Sequence, residues 1–163
     1  MKYALVLAAI LAMTAFASTE FGFHGGLFLP TGDWSDAYSA SPMIGGQFLV
    51  HMPMYAIEGS ISYVFLSPEE DYDDFSASLI PVLGGIRTYS GTMFYGGGLA
   101  YHNVSVEYEI GGVEYEDSDG ELGAYGNIGT ILPMGGNDVE LSGKLHWIDF
   151  DDFCLTATAG INF

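Results

Sequence analysis

Basic residues are nearly missing: three Lys or Arg stand against 21 Asp or Glu among 163 residues, a formal charge of −18. That balance excludes nucleic-acid binding by charge, because phosphates need clustered cations. Cysteine is scarce too, and a single thiol, Cys154, excludes an internal disulfide framework or a cysteine-rich zinc site. No later stretch holds 18 consecutive apolar residues, so no helical membrane span is expected. What the chain does have is 23 Gly, 11 Tyr and 11 Phe. This supply of apolar surface argues against disorder, and with few long charged side chains it points to closely packed strands. The length suits one domain with a sizeable interior.

The first residues read as an address. Met1-Lys2-Tyr3 carries one positive charge, Ala4 to Ala12 is wholly apolar, and Ala15-Phe16-Ala17 supplies small residues for cleavage. This is the pattern of a secretory signal peptide, and its apolar run is too short for a spanning helix. We expect residues 1–17 to be a cleaved signal peptide and 18–163 to form a single domain. Cleavage removes Lys2 and leaves Arg87 and Lys144 as the only basic side chains.

Beyond it, apolar residues alternate. In Tyr55–Phe65 the odd positions are Tyr55, Ile57, Gly59, Ile61, Tyr63 and Phe65; between them lie Ala56, Glu58, Ser60, Ser62 and Val64. The last segment repeats the pattern from Phe153 to Phe163, and 139–147 does so with Glu140, Ser142, Lys144 and His146 between apolar positions. Period two is the mark of strands whose faces meet different surroundings. Runs at 21–29, 43–52, 75–89, 92–105 and 121–132 bring the expected strands to eight, though 75–89 alternates poorly. The connections alternate between long (30–42, 67–74, and an acidic loop 106–120) and short (53–54, 90–91). Strands of roughly 9–11 residues, even in number, with long loops at one end, fit a closed membrane barrel. Closure is required because hydrocarbon offers backbone groups no hydrogen-bond partner.

The expected fold is therefore an all-β transmembrane antiparallel up-and-down barrel. Lys or Arg on the lipid face costs ~2–4 kcal/mol at mid-depth, so Arg87 and Lys144 are expected inside. Parity puts Glu58, Gln47, Asn127, Glu140 and all four histidines inside with them, making the lumen polar. Aromatics mark both ends of the outward stripes: Phe21, Tyr55, Tyr95 and Phe163 at one, Tyr63, Phe65, Tyr101, Trp147 and Phe153 at the other.

Several segments resemble the small outer-membrane β-barrel domains typified by outer membrane proteins A, X and W. They are Gly25-Gly26 through Asp36, Gly45-Gly46-Gln47-Phe48, Gly84-Gly85-Ile86-Arg87, Tyr95 to Tyr101, and the terminal Gly160-Ile161-Asn162-Phe163. The resemblance covers the whole chain after residue 17. It implies a bacterial outer-membrane location, periplasmic termini, and Phe163 as the signal read by the barrel assembly machinery.

Two sets of residues are candidates for function. One is a rim of loop acids: Glu69, Glu70, Asp71, Asp73 and Asp74; Glu116, Asp117 and Asp119; and Asp149, Asp151 and Asp152. Such a field attracts cations and suits divalent ions bridging to lipopolysaccharide, although no EF-hand pattern is present. The other is a lumen network of Glu58, Arg87, Asn127, Glu140 and Lys144, in which Glu58 and Arg87 are expected to pair because a lone buried charge is costly. The histidines fit lumen filling better than a metal site. His102 and Ser105 fall on opposite faces, which argues against a hydrolytic pair. No cofactor is expected. The leading expectation is a non-enzymatic envelope protein with a surface role; a narrow channel for small or apolar solutes is second. A soluble lipocalin-type barrel would need apolar stripes inside, and a lipid-modifying enzyme would need a site the sequence does not display.

Overall fold

The computed structural model describes residues 18–68, 75–110, 113–148 and 152–163, the side chains of 75, 108–110, 113–116 and 152 excepted. The expected signal peptide lies outside the described residues. So do Glu69, Glu70, Asp71, Asp73, Asp74, Asp149 and Asp151, together with the side chains of Glu116 and Asp152.

The elements are β1 (Ser18–Pro30), α1 (Trp34–Ala37), β2 (Tyr38–Ser39), β3 (Ser41–His51), β4 (Ala56–Pro68), β5 (Phe75–Ser90), β6 (Met93–Ile110), β7 (Val113–Met134), β8 (Asn137–Ile148) and β9 (Asp152–Asn162). Eight long strands pair in the order β4-β3-β1-β9-β8-β7-β6-β5, and a β4–β5 ladder closes the cylinder. Every pairing is antiparallel. Near the ends of the chain, Phe21 N–H donates to Phe163 O at 3.1 Å and Phe163 N–H to Phe21 O at 2.9 Å. Closure leaves the cylinder no sheet edge along its paired length, which hydrocarbon requires.

Strand connections at one end are short. Between β7 and β8, pairing continues through Pro133↔Asp138 and Met134↔Asn137, leaving Gly135 and Gly136 as a two-residue turn. Their φ values of 64° and 105° are cheap for glycine and match the twist of a tight hairpin.

At the opposite end, three features depart from the sequence expectation. The segment 106–120 is not a loop: β6 and β7 pair through it as far as Ile110↔Val113, with Val104 opposite Asp119, Val106 opposite Asp117 and Glu107 opposite Glu116. Pairing between β7 and β8 ends at Ala124↔Trp147, so residues 113–123 continue beyond it as a ribbon on β6. A strand signal was present, because Glu107 to Ile110 and Val113 to Glu116 alternate about Gly111-Gly112. Dense acidity obscured it. Residues 30–42 are likewise more than a polar loop. They contain α1 and β2; β2 pairs Tyr38↔Pro68 and Ser39↔Ser67, and Trp34 and Tyr38 pack at the mouth.

The third departure is inside. The lumen toward the long connections is apolar, a cluster of Phe28, Met43, Val64, Leu66, Ala77, Leu79, Ile148 and Cys154. The uniformly polar interior expected from parity holds for only part of its height. Lipid fixes the chemistry of the outer wall, whereas the lumen of an eight-stranded barrel is filled by side chains and tolerates either kind of packing.

Candidate functional site

Alternation sorts the side chains by surface. Phe21, Phe23, Leu27, Ile61, Ile86, Leu99, Leu122, Ile128 and Ile161 are exposed on the outer wall, and so is every aromatic expected in the two girdles. Arg87 is fully buried and Lys144 only 6% exposed, so the described exterior carries no Lys or Arg. Large apolar side chains outside and charged ones inside reverse the arrangement of a water-soluble protein.

The polar layer lies in the half of the lumen nearer the short turns. Arg87 on β5 donates from Nε to Glu58 Oε2 on neighbouring β4 at 2.6 Å, and from Nη1 to Glu140 Oε2 on β8 at 2.7 Å. Its guanidinium also lies 4.1 Å from the centre of the buried Phe94 ring. Glu58 Oε1 accepts from the Tyr125 hydroxyl and from Asn127 Nδ2, the latter at 2.8 Å. Glu140 Oε2 accepts from Gln47 Nε2 and Asn162 Nδ2, both at 3.2 Å. Two carboxylates and one guanidinium are thus held by a neutral shell, as buried charge demands. Glycine makes the room: a Cβ at Gly85 would collide with the Tyr125 hydroxyl and with the Gly97 carbonyl.

Lys144 does not join the network. It lies opposite Asn127 in the β7–β8 register, yet Asn127 turns its amide to Glu58 and Glu140 is engaged by Arg87. Among the described residues Lys144 makes no hydrogen bond or ion pair, although Glu58, Glu140 and Arg87 all act on it electrostatically.

The histidines form separate contacts. His24 Nε2 lies 2.9 Å from Ser62 Oγ, a pair 38 residues apart that local spacing could not reveal. His102 Nε2 lies 3.2 Å from His146 Nδ1, and His146 Nε2 lies 3.3 Å from Thr156 Oγ1. Near the short turns, His51 Nε2 lies 3.2 Å from Glu20 Oε1, and its ring stacks on Tyr89. Among the described residues no group of three or more His, Cys, Asp or Glu is placed to hold a metal ion. His102 is buried inward while the hydroxyl of Ser105 reaches Asn103, so these two do not form a catalytic pair. Asp117 and Asp119 lie exposed on β7, where Asp119 Oδ1 accepts from Gly120 N–H at 2.8 Å. Phe163 is exposed on the outer wall, its ring 5.9 Å from that of Phe23.

Closed cylinder, inverted polarity and paired aromatic girdles together define an outer-membrane-type eight-stranded β-barrel. The same fold occurs in neisserial surface protein A (9% identity; 90% of this chain and 97% of that one covered; TM-score 0.59). It occurs also in Ail, the attachment invasion locus protein of Yersinia pestis, solved with the heparin analogue sucrose octasulfate (13%; 90% and 97%; TM-score 0.55). A third likeness is to the N-terminal β-barrel domain of Pseudomonas aeruginosa OprF (14%; 89% and 96%; TM-score 0.54). No protein-family model matches the chain, and no curated protein matches it by sequence.

Proposed function

We propose that this chain is a non-enzymatic structural and surface-interaction protein of the bacterial outer membrane. Residues 1–17 direct its export, the barrel assembly machinery reads Phe163, and the acidic end faces outward. The observation that carries this reading is the inversion of polarity: an apolar outer wall around a charged Glu58–Arg87–Glu140 layer. In water that arrangement would expose a large apolar surface at great cost; in lipid it is the stable one.

The acidic rim gives the surface its character. With no Lys or Arg outside, direct pairing with lipopolysaccharide phosphate is unavailable, so divalent cations bridge the two anionic surfaces. Ail was solved with a sulfated heparin analogue; a polyanion of that kind is repelled by this exterior. The test is cell fractionation followed by electrophoresis with and without boiling. An outer-membrane species whose mobility changes on boiling supports the reading, and a soluble periplasmic protein refutes it.

A narrow channel is the weaker reading. Phe28, Met43, Leu79 and Ile148 occupy one half of the lumen, and the Arg87 layer with Phe94 occupies the other. An interior filled in both halves favours a closed cylinder.

A further inference from the structure

At the acidic end of the cylinder the sheet is left unfinished on one side. Pairing of β7 with β8 stops at Ala124↔Trp147, and β8 and β9 turn back at Ile148↔Asp152. β7 meanwhile stays paired with β6 as far as Ile110↔Val113. Over residues 113–123, therefore, no described strand adjoins the side of β7 away from β6. At ~3.4 Å per residue this edge is about 34 Å long. Its backbone polar groups fall on every second residue. Gly120 N–H points away from β6 and is taken by Asp119 Oδ1 at 2.8 Å. Ladder alternation gives the amides of Ser118 and Leu122 the same direction. Proteins commonly blunt such an edge with proline, lysine, a bulge or brevity. Residues 113–123 contain no Pro or Lys, and their register with β6 runs without a break. Acids stand there instead: Glu114, Glu116, Asp117, Asp119 and Glu121. Asp117, Ser118, Asp119 and Gly120 are all exposed.

We infer that this edge receives an extended strand of a partner protein, rich in lysine or arginine, which adds to the sheet beside β7. The inference deepens the surface-interaction reading above and rests on it. A strand added to an open edge gains main-chain hydrogen bonds, and the flanking side chains select it. Opposite charges on adjacent strands attract, and like charges repel. Because 113–123 holds acids and no cation, it admits a cationic strand and rejects an anionic one. A second copy of this chain is rejected on the same ground. Antiparallel pairing of two such edges sets carboxylate against carboxylate, between chains that each carry −18. Asp119 already holds the Gly120 donor, so the amides of Ser118 and Leu122 are the ones offered to the incoming strand.

The probe is a fluorescent seven-residue peptide of alternating Lys and Thr, read by anisotropy against the barrel folded into phosphatidylcholine vesicles. The mobility shift on boiling checks folding. A counterpart peptide N-methylated at every residue keeps the charge and loses every backbone donor. Ser118→Pro removes an outward donor that the β6 ladder does not use, a change that edge strands tolerate. Glu107→Gln, one strand away on β6, removes a charge and no edge donor. We expect Glu107→Gln to bind the peptide within threefold of wild type, and Ser118→Pro to bind it at least tenfold more weakly. The N-methylated counterpart should bind wild type at least tenfold more weakly as well. Equal binding of the two peptides means attraction by charge alone and overturns the edge, as does a tenfold loss in Glu107→Gln. Ser118→Pro binding like wild type overturns it too, and so does a wild-type barrel that shifts on boiling yet binds no peptide. A wild-type dimer that Ser118→Pro dissolves overturns it in favour of self-association. Absence of the shift in wild type contradicts the membrane reading, and the inference falls with it.

Discussion

Arg87 Nη1 and Glu140 Oε2 meet at 2.7 Å across the lumen, from strands β5 and β8 that share no ladder. With Glu58 bound at Nε, this contact ties one side of the cylinder to the other through its interior. Removing the guanidinium leaves two buried carboxylates facing each other. Arg87→Ala is expected to destabilise the barrel by about 3–5 kcal/mol, the range for breaking a buried pair. Urea titration followed by the mobility shift measures this; unchanged urea resistance contradicts the tie.

Removing all three charges together should behave differently. Glu58→Gln/Arg87→Met/Glu140→Gln eliminates the desolvation cost along with the attraction, and such replacements are often neutral or stabilising. Its urea midpoint is expected well above that of Arg87→Ala. A triple variant as weak as the single one would show that the charges themselves hold the strands together.

Lys144 offers the converse case. It is buried but lacks a hydrogen bond or ion pair among the described residues, so Lys144→Met forfeits no direct contact and removes a desolvated charge. Stability is expected to stay within about 1 kcal/mol of wild type or to rise. A loss comparable to that of Arg87→Ala would assign the ammonium a partner.

Planar bilayers holding the folded barrel should show no discrete current steps, because apolar packing about Phe28 and Leu79 and the charged layer below it stand in series. Arg87→Ala should stay silent as well, since the apolar half remains. Regular openings in wild type would establish the channel reading.

The mature protein is expected to begin at Ser18, and mass measurement of the outer-membrane form checks it. A species retaining Met1 would rule out the export reading of residues 1–17.

Much of the barrel was legible because lipid imposes one rule on every second residue. Tyr55 to Phe65 and Phe153 to Phe163 obey it strictly, which fixed eight strands and the inward placement of Glu58, Arg87, Glu140 and Lys144. Legibility failed where that rule lapses. Past Val104 the β6–β7 ribbon continues beyond the pairing of β7 with β8, and there carboxylates mimic a loop although Glu and Tyr alternate. Within the lumen, parity says which residues point inward but not whom they meet. Val64 and Leu66 share the face of Glu58, yet they pack in an apolar cluster while Glu58 bonds to Arg87, Tyr125 and Asn127. His24 finding Ser62 depends on strand register, which local sequence does not encode.

Confining both remaining cations to the interior has a practical result. From Ser18 onward the sequence contains only Arg87 and Lys144 as trypsin cleavage points, and both side chains are buried. The folded barrel therefore presents that protease with nothing to cut, even in its surface connections, whereas the opened chain is severed at both. Digestion with this one enzyme reports the fraction folded, with no label and no dye.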